Sequence, residues 1–194
     1  MKLRMKLYEQ YPEWVTLPDG REYALDLDFK TVLRALDVQT EDCWTPLEKL
    51  ELQCQLLLAD PAECPPGLQD RADLLSAIYA LFPKPEEEGR ERYLDFEQDA
   101  AKIRSGFFRL GIDLTTARMH FFRFLELLAD LPEDSALMRT IEIRQRPIPK
   151  PTKTNGEQIA ALQKAKARVA LKISEEERRR TFARALKNST NLRG

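Results

Sequence analysis

The chain has 194 residues, 43% of them hydrophobic and 32% charged, with a formal net charge of -1. That length and composition supply one ordinary core with an appendage, and no stretch approaches the roughly 20 apolar residues a membrane span needs. The net charge hides an asymmetry: residues 151–194 hold eleven Lys/Arg against four Asp/Glu, a net +7, and the first 150 hold 20 against 28, a net -8.

The N-terminus, MKLRMKLYEQYPEW, lacks the long apolar run of a signal peptide. Trp14–Leu17, Pro18-Asp19-Gly20 and Arg21–Leu25 read as a short β-hairpin, because Asp-Gly supplies the positive φ angles of a tight turn. A lone hairpin is marginal in water, so it is expected against helices, with Trp14 and Tyr23 as anchors. An exposed edge that recruits a partner strand is the alternative. Asp28 opens a helix through Val38, with Phe29, Val32, Leu33 and Leu36 apolar. Thr45-Pro46-Leu47-Glu48 starts another, with Thr as cap, Pro in the first position and Glu reaching back. Its buried stripe reads Leu47, Leu50, Cys54, Leu57 and Leu58. Pro61, Pro65 and Pro66 stiffen the next loop. Residues from Leu68 or Asp70 to Phe82 then form a helix with Leu74, Leu75, Ile78, Leu81 and Phe82 inward. Pro83–Gly89 is a solvated acidic loop.

Tyr93–Pro132 is the densest aromatic and aliphatic stretch and reads as two helices around a Gly-containing turn. Asp95 is the expected N-cap of the first, with Gln98 as capping-box partner. Phe96, Ala100, Ile103, Phe107 and Leu110 form one apolar face, and Asp99, Lys102 and Arg109 fall on the other side. Gly106 suits close helix approach. Gly111 suits the position just past the helix. Thr115 or Thr116 caps the second helix, striped by Met119, Phe122, Leu125, Leu128 and Ala129 and widened by Phe121 and Phe124. Such a broad apolar face belongs at the centre of a domain. Asp134 or Ser135 caps a helix with Leu137, Met138, Ile141 and Ile143.

Pro147–Gly156 reads as an extended Pro/Lys linker. It divides a helical domain, residues 1–146, from a basic helical tail, residues 157–194. The fold class expected is mainly α: one domain of about six helices with an N-terminal hairpin, then linker and tail. In the tail, Ile159, Leu162, Val169 and Ile173 mark a narrow apolar seam, and Ser174 can cap a helix carrying Phe182, Ala185 and Leu186. Arg178, Arg179 and Arg180 add charge. The tail lacks interleaved aromatics and any base-reading motif, so docking on a protein partner is favoured over a plain solvated helix and over nucleic acid. Attraction to the acidic body of a neighbouring copy is a further option.

No catalytic constellation is visible. His120 is the sole histidine and reads as a packed or solvated ring rather than a base. Cys43, Cys54 and Cys64 are too widely spaced for a zinc site and read as reduced thiols. No phosphate-cradling glycine loop and no HExxH motif occurs.

The stretch YLDFEQDAAKIRSGFFRLGIDL, with Met119–Phe124 and Leu127–Pro132 after it, resembles the bacteriophage gene product fifteen family. Its members carry an aromatic-Asp-Phe-Glu-x-Asp-Ala start, a Gly-Ile-Asp-Leu turn and a Leu-His-Trp-Trp-x-Phe helix. Asp95-Phe96-Glu97, Asp99-Ala100, Gly111–Leu114, His120 and Phe124 match, whereas Phe121 and Phe122 replace the tryptophans and Met119 the leucine. Pro12-Glu13-x-Val15, Asp19-Gly20-x-x-Tyr23 and Asp28-Phe29-Lys30 are similar to the family's opening, and Ile141 and Arg144 to its post-core element. The resemblance implies a tail assembly chaperone of siphophages that acts in the host cytoplasm without catalysis or cofactor. It would coat the tape-measure protein, with the tail tube protein and further copies of itself as additional partners. From the tail's own pattern, Ile159, Leu162, Val169, Ile173, Phe182 and Leu186, with Arg178, Arg179 and Arg180, are the candidate contact residues. A structural virion component, such as a head–tail connector or minor tail protein, is the alternative.

Overall fold

The computed structural model describes residues 9–82, 92–152 and 154–172, which form a two-stranded antiparallel sheet and seven α-helices. The chain divides into two compact units, Met1–Arg90 with Phe107–Leu131, and Glu91–Gly106 with Pro132–Gly194. The expected Pro83–Gly89 loop and the helix after Ser174 lie outside the described residues.

In the first unit, β1 (Trp14–Thr16) pairs with β2 (Glu22–Ala24) in the register Val15↔Tyr23. Gly20, at φ 88°, makes the turn, a backbone angle that glycine adopts without steric cost. Side chains alternate across a strand, so Val15, Leu17, Tyr23 and Leu25 share the buried face. Trp14, expected as an anchor, falls on the opposite face and is 60% exposed. Val15 anchors in its place.

Helix α1 (Phe29–Thr40) starts at Asp28, whose carboxylate accepts from Lys30 N–H. Helix α2 (Pro46–Leu57) begins with the full reciprocal capping box of Thr45 and Glu48. Cys54 and Leu57 are buried as expected, but Leu47, on the first turn, is exposed. Gln53 is buried instead and accepts from Tyr79 Oη at 2.7 Å, so the polar group is satisfied. After a 3-10 turn at Pro61–Glu63, α3 (Leu68–Leu81) buries Leu74 and Ile78.

Helix α4 (Ala100–Arg109) carries the chain from the second unit into the first, at Phe107. It ends on Gly111, φ 78°, with Gly111 N–H on Phe108 O and Ile112 N–H on Phe107 O. That pair of bonds is the Schellman closure of orphan carbonyls. The second helix of the central pair is shorter than its apolar pattern. Helix α5 spans Phe121–Ala129, and His120 is its cap rather than Thr115 or Thr116. The reason is main-chain competition. Phe29 N–H donates to Met119 O and Phe121 N–H to Leu27 O, so residues 119 and 120 are held extended against the start of α1. Asp113 meanwhile takes both N–H and Oγ1–H of Thr115 into a turn. Of the nine residues of α5, Phe121, Phe122, Phe124, Leu125 and Leu128 are buried. Phe124 stacks between Phe29 at 4.9 Å and Phe107 at 5.2 Å, an offset aromatic column that adds to the area buried. The broad face is central, as its width requires.

The second unit is organised around a buried charge. Asp95 accepts from Glu97 and Gln98 N–H, opening a turn ahead of α4. The Gln98 side chain closes no capping box; it pairs with the backbone of Lys172. Asp99, expected on the outer side of α4, is fully buried. Helix α6 (Ala136–Gln145), capped by Ser135, presents Arg144 to it. Both carboxylate oxygens of Asp99 accept from the guanidinium, at 2.5 and 3.0 Å. Helix α7 (Gly156–Val169) packs on α6.

Candidate functional site

His120 was the one side chain whose chemistry invited a catalytic reading, and its position decides the matter of its role. The ring nitrogen Nδ1 accepts the N–H of Phe122, capping α5, and Nε2 lies 3.1 Å from Pro12 O. An acceptor at Nδ1 and a carbonyl at Nε2 fix one neutral tautomer. Tyr11 stacks on the ring at 4.8 Å, and Phe122 meets it edge-on. Burial holds the imidazole below its ordinary value, against the opposing pull of Pro12 O and Glu13. Both nitrogens are committed to holding the backbone.

The Asp99–Arg144 cluster has the same character. The guanidinium also donates to Tyr93 O at 2.7 Å and Val169 O at 2.6 Å, and Lys102 donates to Asp99 at 2.8 Å. Burial alone would raise the carboxyl of Asp99, but the bonds from Arg144 and Lys102 outweigh it and hold it low. Lys166 closes the knot on Arg144 O at 2.7 Å. No buried side-chain nitrogen or oxygen among the described residues lacks a partner, and the bonds to Val169 O and from Lys166 make the cluster a fastener for α7. Among the described residues, no group of three or more His, Cys, Asp or Glu is placed to hold a metal ion. No helix among them is long and apolar enough to cross a membrane.

What remains open is a surface. Beside the hairpin of the first unit lies a solvent-open groove of about 490 Å³. The hairpin contributes Trp14 and Ala24, the strand-to-helix segment Leu27 and Asp28, and the segment before α5 Arg118 and Met119. Its floor is apolar and its rim carries both signs of charge. Three local facts build it. Alternation throws Trp14 outward; residues 119 and 120 lie extended rather than helical; and Asp28, which accepts the N–H of Met119 at 3.1 Å, joins the two walls.

Next to the groove, β1 is a free edge among the described residues. Leu25 N–H meets Glu13 O and Leu17 N–H meets Arg21 O. In an antiparallel ladder these bonds alternate, so the peptide groups of Trp14 and Thr16 point away from β2. An exposed aromatic beside an apolar groove and an unpaired strand edge is the usual composition of a peptide-docking surface.

Of the tail residues expected to make contacts, Ile159, Leu162 and Val169 are half-buried along one side of α7, the helix that packs on α6. Ile173, Phe182, Leu186, Arg178, Arg179 and Arg180 lie outside the described residues. The Trp14 groove gave no sequence signal beyond the hairpin pattern itself, since its walls come from segments about a hundred residues apart.

Fold and surface together define a mainly helical protein whose polar motif residues brace the backbone and whose open surface suits another polypeptide. Residues 14–171 match the model of the Bacteriophage Gp15 protein family, and the chain belongs to that family. Searches of curated proteins and of solved structures each returned no match.

Proposed function

We propose that this chain is a non-catalytic tail assembly chaperone that binds the phage tape-measure protein in the host cytoplasm. Membership of a bacteriophage family gives the setting. The observation that carries the reading is the open apolar groove at Trp14, next to the unpaired edge of β1. A tape-measure protein is a long helical chain that needs covering until tube subunits close around it. An apolar helix face can seat side chains against Trp14, Leu27 and Met119, and Glu13 and Arg118 can set its direction by charge. The tail tube protein and further copies of the chain are additional partners on this reading.

Co-expression tests it. With the tape-measure protein of the same phage, the wild-type chain keeps the client in the soluble fraction, and purified virions lack the chain by mass spectrometry. A client that stays insoluble in its presence overturns the proposal. Stoichiometric copies in the virion favour a structural component instead.

A further inference from the structure

The first unit has a second apolar surface, at the start of α2. Trp44, one residue ahead of the Thr45 cap, is 39% exposed, and Leu47 on the first turn is 60% exposed. The indole is fixed in place, its Nε1–H donating to the Glu41 carboxylate at 2.9 Å. Between Trp44 and the outer face of α2 runs an open cleft of about 150 Å³, with Leu52 in its wall and Glu48 and Glu51 along it. Glu41 and Asp42 flank the indole in sequence. The neighbouring cations are engaged: Arg71 on Glu51 at 3.1 Å and Lys49 on Gln39 O at 3.2 Å. Glu41, Asp42, Glu48 and Glu51 against Lys49 and Arg71 leave this surface a net charge of -2, with Glu51 and Arg71 paired.

The chain itself holds the complementary chemistry. Residues 173–194 carry six Lys/Arg against three Glu, with Phe182 and Leu186 one helical turn apart in spacing. The described residues of the first unit hold 18 acidic groups against eight basic ones, so its field attracts such a segment over a distance. We propose that the Trp44–Leu47 surface is the docking site for residues 173–194 of a second copy of this chain. Phe182 and Leu186 pack on Trp44 and Leu52, and Arg178–Arg180 face Glu41, Asp42 and Glu48. Two different surfaces meet in each such contact, so the copies either exchange tails reciprocally in a closed pair or extend as a larger ring or an open filament. It gives a site to the self-association named in the chaperone reading, but it depends neither on client binding nor on the Trp14 groove.

Sedimentation velocity on the full-length chain tests it. The wild-type chain self-associates at low salt and dissociates as salt rises. Trp44→Ala weakens association by about tenfold or more, and so do two charge reversals, one at Glu41→Arg with Asp42→Arg, the other at Arg178→Glu, Arg179→Glu and Arg180→Glu. Mixing the two charge-reversed chains restores association between them, a gain that damage to folding cannot produce. A wild-type chain that is monomeric at low salt, association untouched by Trp44→Ala, or failure of the mixed pair to associate each overturns the proposal. So does a Trp44→Ala chain that loses only its hold on the tape-measure protein, which would assign this surface to the client. Client solubility is read separately, so failure here leaves the Trp14 groove standing.

Discussion

Arg144 donates from Nε and both terminal nitrogens to four acceptors on three residues, and its carboxylate partner has no access to solvent. Removing one member of such a pair leaves a buried charge uncompensated. Arg144→Met is therefore expected to cost about 3–5 kcal/mol, toward the lower end because Lys102 still reaches Asp99. Chemical denaturation measures it, and a loss under 1 kcal/mol contradicts the fastener role. At His120 the consequence is a pH dependence. Its folded value lies below its ordinary one of about 6.5, chiefly through burial. The group's stabilisation is present above that ordinary value and is lost as pH falls through the folded value. Protonation also removes the Nδ1 acceptor from Phe122 N–H. The other charges around the ring are Glu13, and Glu126 and Arg123 through Tyr11. Between pH 7.5 and 5.5, the urea midpoint should fall in the wild-type chain more than in His120→Asn, which keeps a cap acceptor and cannot titrate there. Parallel pH profiles would contradict this.

At the scale of elements, local chemistry was readable where the partners are close in sequence. The Thr45–Glu48 box, the caps at Asp28 and Ser135, the Asp19-Gly20 turn and the Gly111 helix end each involve residues within a few positions. The Gly111 closure gives a direct check. At φ 78° with open space around it, alanine meets strain and no clash, so Gly111→Ala should destabilise by about 1 kcal/mol in thermal unfolding. A neutral result would mean that the turn relaxes. Reading failed where the deciding partner is remote. Asp99 looked solvated because Arg144 is 45 residues away, and the start of α5 slipped because Asp28 engages residues 119 and 120 across 91 positions. Trp14 misled by its type, since a tryptophan next to a turn suggests an anchor, whereas strand alternation put the smaller Val15 inside. The motif residues behind the family resemblance (Asp28, Asp99, Gly111, His120, Arg144) brace caps, turns and the ion pair. They account for the fold, and although Asp28 and His120 also line the Trp14 groove, Trp14, Ala24, Leu27 and Arg118 belong to none of the motifs, which is why that surface was not legible.

For the whole molecule, the braced interior and the open surface at Trp14 respond differently to mutation. Trp14 is mostly exposed, so Trp14→Ala should leave the unfolding midpoint within the small range of surface substitutions, about 0.5 kcal/mol. Its effect is expected in partner binding, where an exposed aromatic beside a groove carries a large share of the affinity. The most direct measurement is affinity co-purification of the tape-measure protein with the wild-type chain and with Trp14→Ala, at matched expression. The wild-type chain should form a stable complex, and recovered client should drop at least tenfold with the variant, whose stability is unchanged. Equal recovery with both chains, or none with either, would contradict it.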